Sequence, residues 1–243
     1  MRGGTQPLRP TSCLACEARG TTEWCELPED DLRLLSQSKV TNVYRPGQVI
    51  FYQGQPCLGL HCIESGTVAL RKSDAQGASV IARLFHPGQT LGYLAYFARR
   101  PYTGTAEAVT DCRICFIDKA AVRTIVSRNP GVAQRFLGRI ADNLSEAEDA
   151  RLAASTMPLR ARLAELLVSV RERFGAAGED GTITLTLPLS RQDIAAMLGA
   201  RPESLSRAIR ELSDAGVAVF RGRDVTIPDL DALIDEVEQA GGV

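Results

Sequence analysis

The sequence predicts an α+β chain in three parts: a β-rich, jelly-roll-like N-terminal half, one long helix, and a winged helix-turn-helix at the C-terminus. Three observations predict it. Between residues 40 and 117, short apolar-alternating runs are broken repeatedly by glycine or proline, the mark of a roll or sandwich of short strands. From Asn129 to about Met157, apolar and small residues recur every three or four positions, the period of one helix face. From Ser190 to Ile227, two short capped helical segments are followed by a hairpin pattern. The resulting boundaries are residues 1–27 for a cysteine-rich arm, 28–128 for the roll, 129–157 for the helix and 158–243 for the C-terminal domain.

Composition excludes several classes. The 243 residues suit two modest domains, each able to bury a core. A formal net charge of −1 gives no global basic field, so contact with nucleic acid must come from a local patch. No stretch approaches the roughly 20 apolar residues of a membrane span, and the first residues lack the apolar centre of a signal peptide. A cytoplasmic protein with no membrane partner is expected. There, the seven cysteines would be thiols or metal ligands rather than structural disulfides.

In the arm, Cys13 and Cys16 form a CxxC, and Cys25 follows after eight intervening residues, next to Trp24. Three cysteines in a short polar arm are hard to explain by packing, because free cysteine is normally buried as a small hydrophobe. Thiolates at this spacing suit zinc or an iron–sulfur cluster, both of which usually take four ligands. Cys57, Cys62, Cys112 and Cys115 are the candidates for the fourth.

In the roll, strands are expected at 49–52, 60–63, 67–71, 80–85, 105–109 and 113–117, with turns at Pro46-Gly47, Gly66 and Pro87-Gly88 among others. A strand through Cys112 and Cys115 sends them to opposite faces, so only one of the two joins the arm easily. Cys57 follows the Gln55-Pro56 turn and Cys62 alternates with Leu60, so both read as packing cysteines. His61 and His86 belong to no constellation that would hold a haem.

Pro130 suits the first turn of the long helix, and Asn129 is placed to cap it. The stripe Val132, Phe136, Ile140, Leu144, Ala147, Ala150 and Ala154 begins bulky and ends as alanines. Small residues let a second helix approach closely, so this seam is expected to form a homodimer.

Pro158 restarts the chain as a helix whose inner face includes Leu163, Leu167 and Val170 and which stops at Gly175. A strand is expected next, at 182–187. Ser190 with Asp193 forms a capping box before Ile194 and Ala195, and Pro202 opens a second helix with Leu205, Ala208, Ile209 and Leu212 inward. Opposite that face lie Glu203, Ser206, Arg207 and Arg210. In a helix-turn-helix the first turns of the second helix meet base edges in the major groove, where arginine reads guanine and glutamate accepts from cytosine. Double-stranded DNA is the expected partner, with Glu203, Ser206 and Arg207 reading bases. Arg191, Arg201, Arg210, Arg221 and Arg223 are placed for phosphates. No nucleophile, base and oxyanion donors converge in the sequence, so an enzyme is not expected.

The stretches RPGQVIFYQGQP, ESGTVALRK and HPGQTLGYL, followed by the long helix and the helix-turn-helix, resemble the CRP/FNR family of bacterial transcription regulators from about Leu27 to Ile227. In that family's cyclic-nucleotide-binding branch, a GEL-type triplet and a later Arg-Ser pair hold ribose and phosphate. Here Gly92-Tyr93-Leu94 and Tyr102-Thr103-Gly104-Thr105 lack the acidic and arginine positions, so a cyclic phosphate would lose its charge-assisted partners and no cyclic nucleotide is expected. The cysteines resemble the FNR branch, whose oxygen-labile 4Fe-4S cluster is held by three arm cysteines and one in the roll. The resemblance assigns those positions to Cys13, Cys16, Cys25 and Cys112, and leaves Cys115 as packing or a spare thiol. The spacing from Cys16 to Cys25 is longer than that branch's pattern. Glu203, Ser206 and Arg207 match the triplet by which the branch reads TTGAT half-sites. The resemblance therefore implies a homodimeric activator on a TTGAT-N4-ATCAA-like palindrome, with oxygen or nitric oxide as signal and RNA polymerase as a partner. The alternatives are the same DNA reader with a zinc or thiol-redox site, or a roll that binds an effector without a cluster.

Overall fold

The computed structural model describes residues 12–77, 79–178 and 181–241. Two compact units form, one from the chain up to Lys72 with Arg83–Ile140, the other from Ser73–Ala82 with the chain beyond Ala141. In the first, two short 3-10 turns, Cys13–Ala15 and Glu17–Thr21, lead into helix α1 (Glu29–Ser38). The strands β1 (Lys39–Tyr44), β2 (Val49–Phe51), β3 (Gly59–Ser65), β4 (Val68–Ser73), β5 (Ser79–Phe85), β6 (Thr90–Leu91), β7 (Thr105–Ala108) and β8 (Cys112–Asp118) come next, with helix α2 (Tyr93–Ala98) between β6 and β7. They pair into two four-stranded sheets, ordered β1-β8-β3-β6 and β2-β7-β4-β5. This is the predicted roll.

The antiparallel register of β3 and β8 sets the two faces of the first sheet. His61 pairs with Phe116, Cys62 with Cys115 and Ile63 with Ile114, and neighbours along a strand point to opposite sides. On one side His61 and Phe116 stand with rings 5.0 Å apart, and Phe51 of β2 approaches His61 at 5.2 Å, so this side is the interior between the sheets. On the other side α1 and α3 (Lys119–Arg128) pack on β3 and β8. Asp118 starts α3 by accepting hydrogen bonds from the backbone N–H groups of Ala120 and Ala121 at 2.8 and 3.0 Å.

The long helix α4 runs Pro130–Thr156, as its periodicity predicts. Two details differ. Asn129 does not cap it with its side chain: Nδ2 donates to Asp31 Oδ2 at 2.9 Å and to the Ile125 carbonyl at 3.1 Å, so the residue closes α3 and ties it to α1. Phe136 is not part of a seam open to a second chain, because both it and Val132 are fully buried in the roll core and Ile140 packs against that core. The bulky apolar residues left exposed on α4 are Leu137 (64 %), Leu144 (60 %) and Leu152 (63 %).

The second unit contains α5 (Leu159–Phe174), β9 (Gly175–Ala177), β10 (Ile183–Thr186), α6 (Arg191–Met197), α7 (Pro202–Asp214), β11 (Val219–Arg221), β12 (Asp224–Ile227) and α8 (Leu230–Gly241). The sheet order is β11-β12-β10-β9. Ser190 and Asp193 make the reciprocal capping box, and α5 packs against α7 and α8.

Gly66 joins β3 to β4 at φ 88°, where an added Cβ would lie 2.2 Å from the Asp111 carbonyl oxygen and 2.6 Å from the Cys112 sulfur. Left-handed backbone and overpacking both penalise a side chain there. Gly66→Ala is expected to destabilise the roll by about 2–4 kcal/mol, read as a lowered urea midpoint at unchanged m-value.

Candidate thiol site and nucleic-acid interface

The arm lies on the outer face of β3 and β8. Cys13, Cys16, Cys62 and Cys115 line one cavity there, walled by Trp24, Leu32, Leu35 and Ile117, with Lys39 and Glu64 at its edge. Cys13 is held by its backbone N–H donating to Ser36 Oγ of α1 at 3.3 Å. The 3-10 turn at Glu17–Thr21 rests on the Pro87-Gly88 turn, where a Cβ at Gly88 would come 1.8 Å from Thr21 Oγ1. Only glycine permits this approach.

The arm continues to α4. Trp24, 2 % exposed, donates its indole N–H to Cys62 Sγ at 3.2 Å and meets the Phe136 ring edge-on at 5.5 Å. Glu23 is buried; its carboxylate accepts from Thr90 Oγ1 at 2.6 Å and pairs with Arg139 Nε at 3.2 Å. Arg135 Nε donates to the Glu23 carbonyl at 2.8 Å. A buried carboxylate is stable only when paired and hydrogen-bonded, and here the partners come from the roll and from α4.

The family resemblance places the distant thiol at Cys112. The structure turns Cys112 to the other side of β8 from Cys115, buried beside Gly66, with its thiol donating to the carbonyls of Thr67 (3.2 Å) and Thr110 (3.3 Å). Burial raises its pKa. Cys115 faces the arm, with Lys39 Nζ at 3.4 Å and Thr41 Oγ1 at 3.5 Å from its sulfur. Cys25 is half-buried and is not among the residues lining the cavity. Cys57 is a packing thiol that donates to the Gly59 carbonyl at 3.4 Å. Cys62, which reads from sequence as packing, lines the cavity, and burial pushes its pKa up to about 12. Among the described residues, no three His, Cys, Asp or Glu side chains converge closely enough to hold a metal ion.

Inside the roll, the positions where the resemblance sought phosphate-binding groups carry buried aromatics. Tyr93 packs on Phe136 with rings 5.7 Å apart, and Tyr102 stacks on Phe51 at 3.9 Å while its hydroxyl donates to the Gly59 carbonyl at 3.2 Å. His61 lies beside them, 7 % exposed, with Nδ1 lacking a hydrogen-bond partner.

In the second unit, α7 buries Leu205, Ala208, Ile209 and Leu212 and leaves Glu203, Ser206, Arg207 and Arg210 exposed. Ser206 Oγ donates to the Pro202 carbonyl at 2.9 Å, and Arg207 Nη2 to Ser204 Oγ at 3.3 Å, which orients both side chains along the helix surface. Arg191 and Arg201 are exposed at the starts of α6 and α7, and Arg221 and Arg223 at the β11–β12 tip. That tip is a two-residue loop with φ 67° at Gly222, the geometry of a tight hairpin wing.

A family profile for the cyclic nucleotide-binding domain matches residues 41–129, and one for the Crp-like helix-turn-helix domain matches residues 161–236. The chain is 25% identical over 228 residues to the transcriptional activator protein FnrL of Cereibacter sphaeroides, covering 92% of this chain and 91% of that one. It is 27% identical over 189 residues to a CRP-like cAMP-activated global transcriptional regulator of Mycobacterium tuberculosis, covering 77% and 83%. A solved CRP/FNR-family regulator from Thermus thermophilus superposes with a TM-score of 0.70 at 25% identity, covering 83% of this chain and 100% of that one. The chain belongs to the CRP/FNR family of transcription regulators. It is a DNA-binding regulator, and its family is not one of enzymes. Among the described residues, no helix of this CRP/FNR regulator is long and apolar enough to cross a membrane.

Burial lowers the His61 pKa from 6.5 to about 4. Between those values the unfolded chain binds a proton that the folded chain refuses. The stability carried by the neutral ring is thus complete above pH 6.5 and is lost as pH falls from 6.5 to 4, by about 3 kcal/mol. Urea unfolding of wild type against His61→Leu over this range is expected to show that slope in the wild type alone.

Proposed function

We infer that this regulator is a cytoplasmic homodimer that binds a TTGAT-N4-ATCAA-like palindrome under control of an oxygen- or nitric-oxide-labile 4Fe-4S centre lying between arm and roll. One observation carries the reading: arm cysteines and Cys115 of the roll line a single cavity whose Trp24 wall also packs on α4. The donor chemistry fits such a centre. Soft thiols share an apolar recess, and the Lys39 ammonium and Trp24 N–H are there to offset thiolate charge. Among the described residues no three of these side chains converge closely enough to hold a metal ion, so the fit rests on donor type alone. Of the two β8 cysteines the geometry favours Cys115 over Cys112 as the roll ligand.

The centre when bound supplies a group that oxygen or nitric oxide dismantles. The chain's own residues carry the consequence. Trp24 packs on Phe136 and Glu23 pairs with Arg139, so a change at the arm acts directly on α4. Along that helix the exposed Leu137, Ala141, Leu144 and Leu152 offer the apolar line for a second copy. A two-fold dimer presents Glu203, Ser206 and Arg207 twice, with Arg191, Arg201, Arg210, Arg221 and Arg223 on the phosphates. The buried Tyr93 and Tyr102 leave a cyclic phosphate without a cationic partner at those positions, which disfavours the cAMP response named for the mycobacterial relative. The FnrL name supports activation, with RNA polymerase as the partner of the DNA-bound dimer.

Protein purified without oxygen is expected to hold about four irons and four acid-labile sulfides per chain with a visible band that bleaches in air; zinc alone, or no metal, rejects the cluster. Arg207→Ala should cost about 1–3 kcal/mol on the palindrome and relax the base position it reads. Arg223→Ala should weaken all sequences alike, lowering the slope of log K against log salt by about 0.9 for each phosphate the arginine neutralises. Both are measured by titration of labelled duplexes across a salt series.

A further inference from the structure

A groove of about 690 Å3 opens between α2 and α3, a size that suits a small molecule. Arg99 at the end of α2 and Lys119 and Arg123 of α3 line it, with Tyr96, Phe97 and Ser127. Each of the three cations stands where the backbone disfavours it. Arg99 closes α2 at φ 52° and ψ 42°, and among the described residues no other non-glycine residue has positive φ; glycine would take that cap at lower cost. Lys119 is the first residue of α3, at the positive end of its dipole. Arg123 follows four residues on, so two like charges share one helix face. No carboxylate offsets them. Among the described residues none of the three forms an ion pair, and neighbouring Asp118 is occupied in accepting from the Ala120 and Ala121 N–H groups. Elsewhere in the same unit arginines are matched, Arg113 with Glu64, Arg128 with Asp31 and Arg139 with Glu23. The aromatic wall is packed as well. Tyr96 and Phe97 meet edge-on at 5.1 Å, and Phe97 reaches the Phe136 ring at 5.3 Å while staying 38 % exposed. Burial raises the Tyr96 pKa, and Arg123 is near enough to oppose that rise.

We propose that this groove binds a small phosphorylated ligand with a flat apolar ring, a nucleoside diphosphate in class, with Arg99, Lys119 and Arg123 on the phosphates and Tyr96 and Phe97 on the ring. Guanidinium and ammonium groups form charge-assisted bonds to phosphate oxygens, and aromatic side chains take up a base without regard to its identity. Three cations exceed what the single charge of a cyclic phosphate needs and suit a diphosphate. The groove shares no residue with the thiol cavity, so the assignment is independent of what the cysteines hold. Phe97 from the groove and Trp24 from the arm both touch Phe136, which places the ligand beside the anchor of α4.

The test is calorimetric titration of the full chain with ADP, inorganic pyrophosphate, adenosine and a hexaglutamate peptide. It is run on wild type, Arg99→Gly, Arg123→Gln and Arg45→Gln, the last changing an exposed arginine outside the groove. Saturable binding of one ADP per chain, weaker binding of pyrophosphate and none of adenosine supports the proposal. Affinity for ADP is expected to fall about tenfold or more in Arg123→Gln, the loss of one charge-assisted contact, and to stay unchanged in Arg45→Gln. Arg99→Gly separates ligand binding from folding: its thermal midpoint is expected to be no lower than that of wild type while ADP affinity falls. Absence of ADP binding, equal weakening in Arg45→Gln, or preference for hexaglutamate over ADP overturns the proposal, the last in favour of a protein partner.

Discussion

The alternation of side chains along β8 is the constraint on which the rest depends. In one strand, Ile114 and Phe116 supply the roll interior while Cys115 and Ile117 face the arm. A slip of one residue would exchange the two sets, emptying the core and the thiol cavity together. Pairing with β1 on one side and β3 on the other holds that register. The fold's stability and the placement of its cavity thiols therefore have a common origin.

The same economy governs α4. Its first turns bury Val132 and Phe136 in the roll, and its later turns expose leucines. The helix is thus anchored in one core, while its later turns leave leucines exposed. Trp24 and Glu23 are the points of attachment, one through ring packing and one through a buried ion pair. Buried ion pairs gain more in geometric definition than in net stability, which suits a contact that must be made in one arrangement only.

Much of this is legible in the sequence because it is local. Short alternating runs, the Ser190–Asp193 box, Pro202 and the glycine at the wing tip each report on residues a few positions away. β1 escapes a reading by pattern because Val40 and Val43 are exposed and give no buried face, and α8 because it lies beyond the helix-turn-helix motif and its wing. The thiol site is legible only in part. Strand periodicity separates Cys112 from Cys115, but which of them lies beneath the arm depends on the covering of the sheet by α1 and the 3-10 turns, a long-range fact. Cys62 shares a strand face with Leu60, and an apolar neighbour disguises a residue that borders the cavity. Phe136 likewise fits a seam by spacing, although the core claims it first.

The contact of Thr21 with Gly88 fixes the arm between its cysteines. Glu17–Thr21 is a 3-10 turn whose Arg19 carbonyl holds Thr22 and whose Ala18 and Arg19 line the cavity, so an added residue there would shift the segment beyond it. The Thr21 side chain and the Ala18 carbonyl close on the Pro87-Gly88 turn with no room for a Cβ at Gly88. One residue inserted before Trp24 would rotate the indole away from both Cys62 and Phe136. The length of the spacer between Cys16 and Cys25 is therefore set by the turn on which it packs.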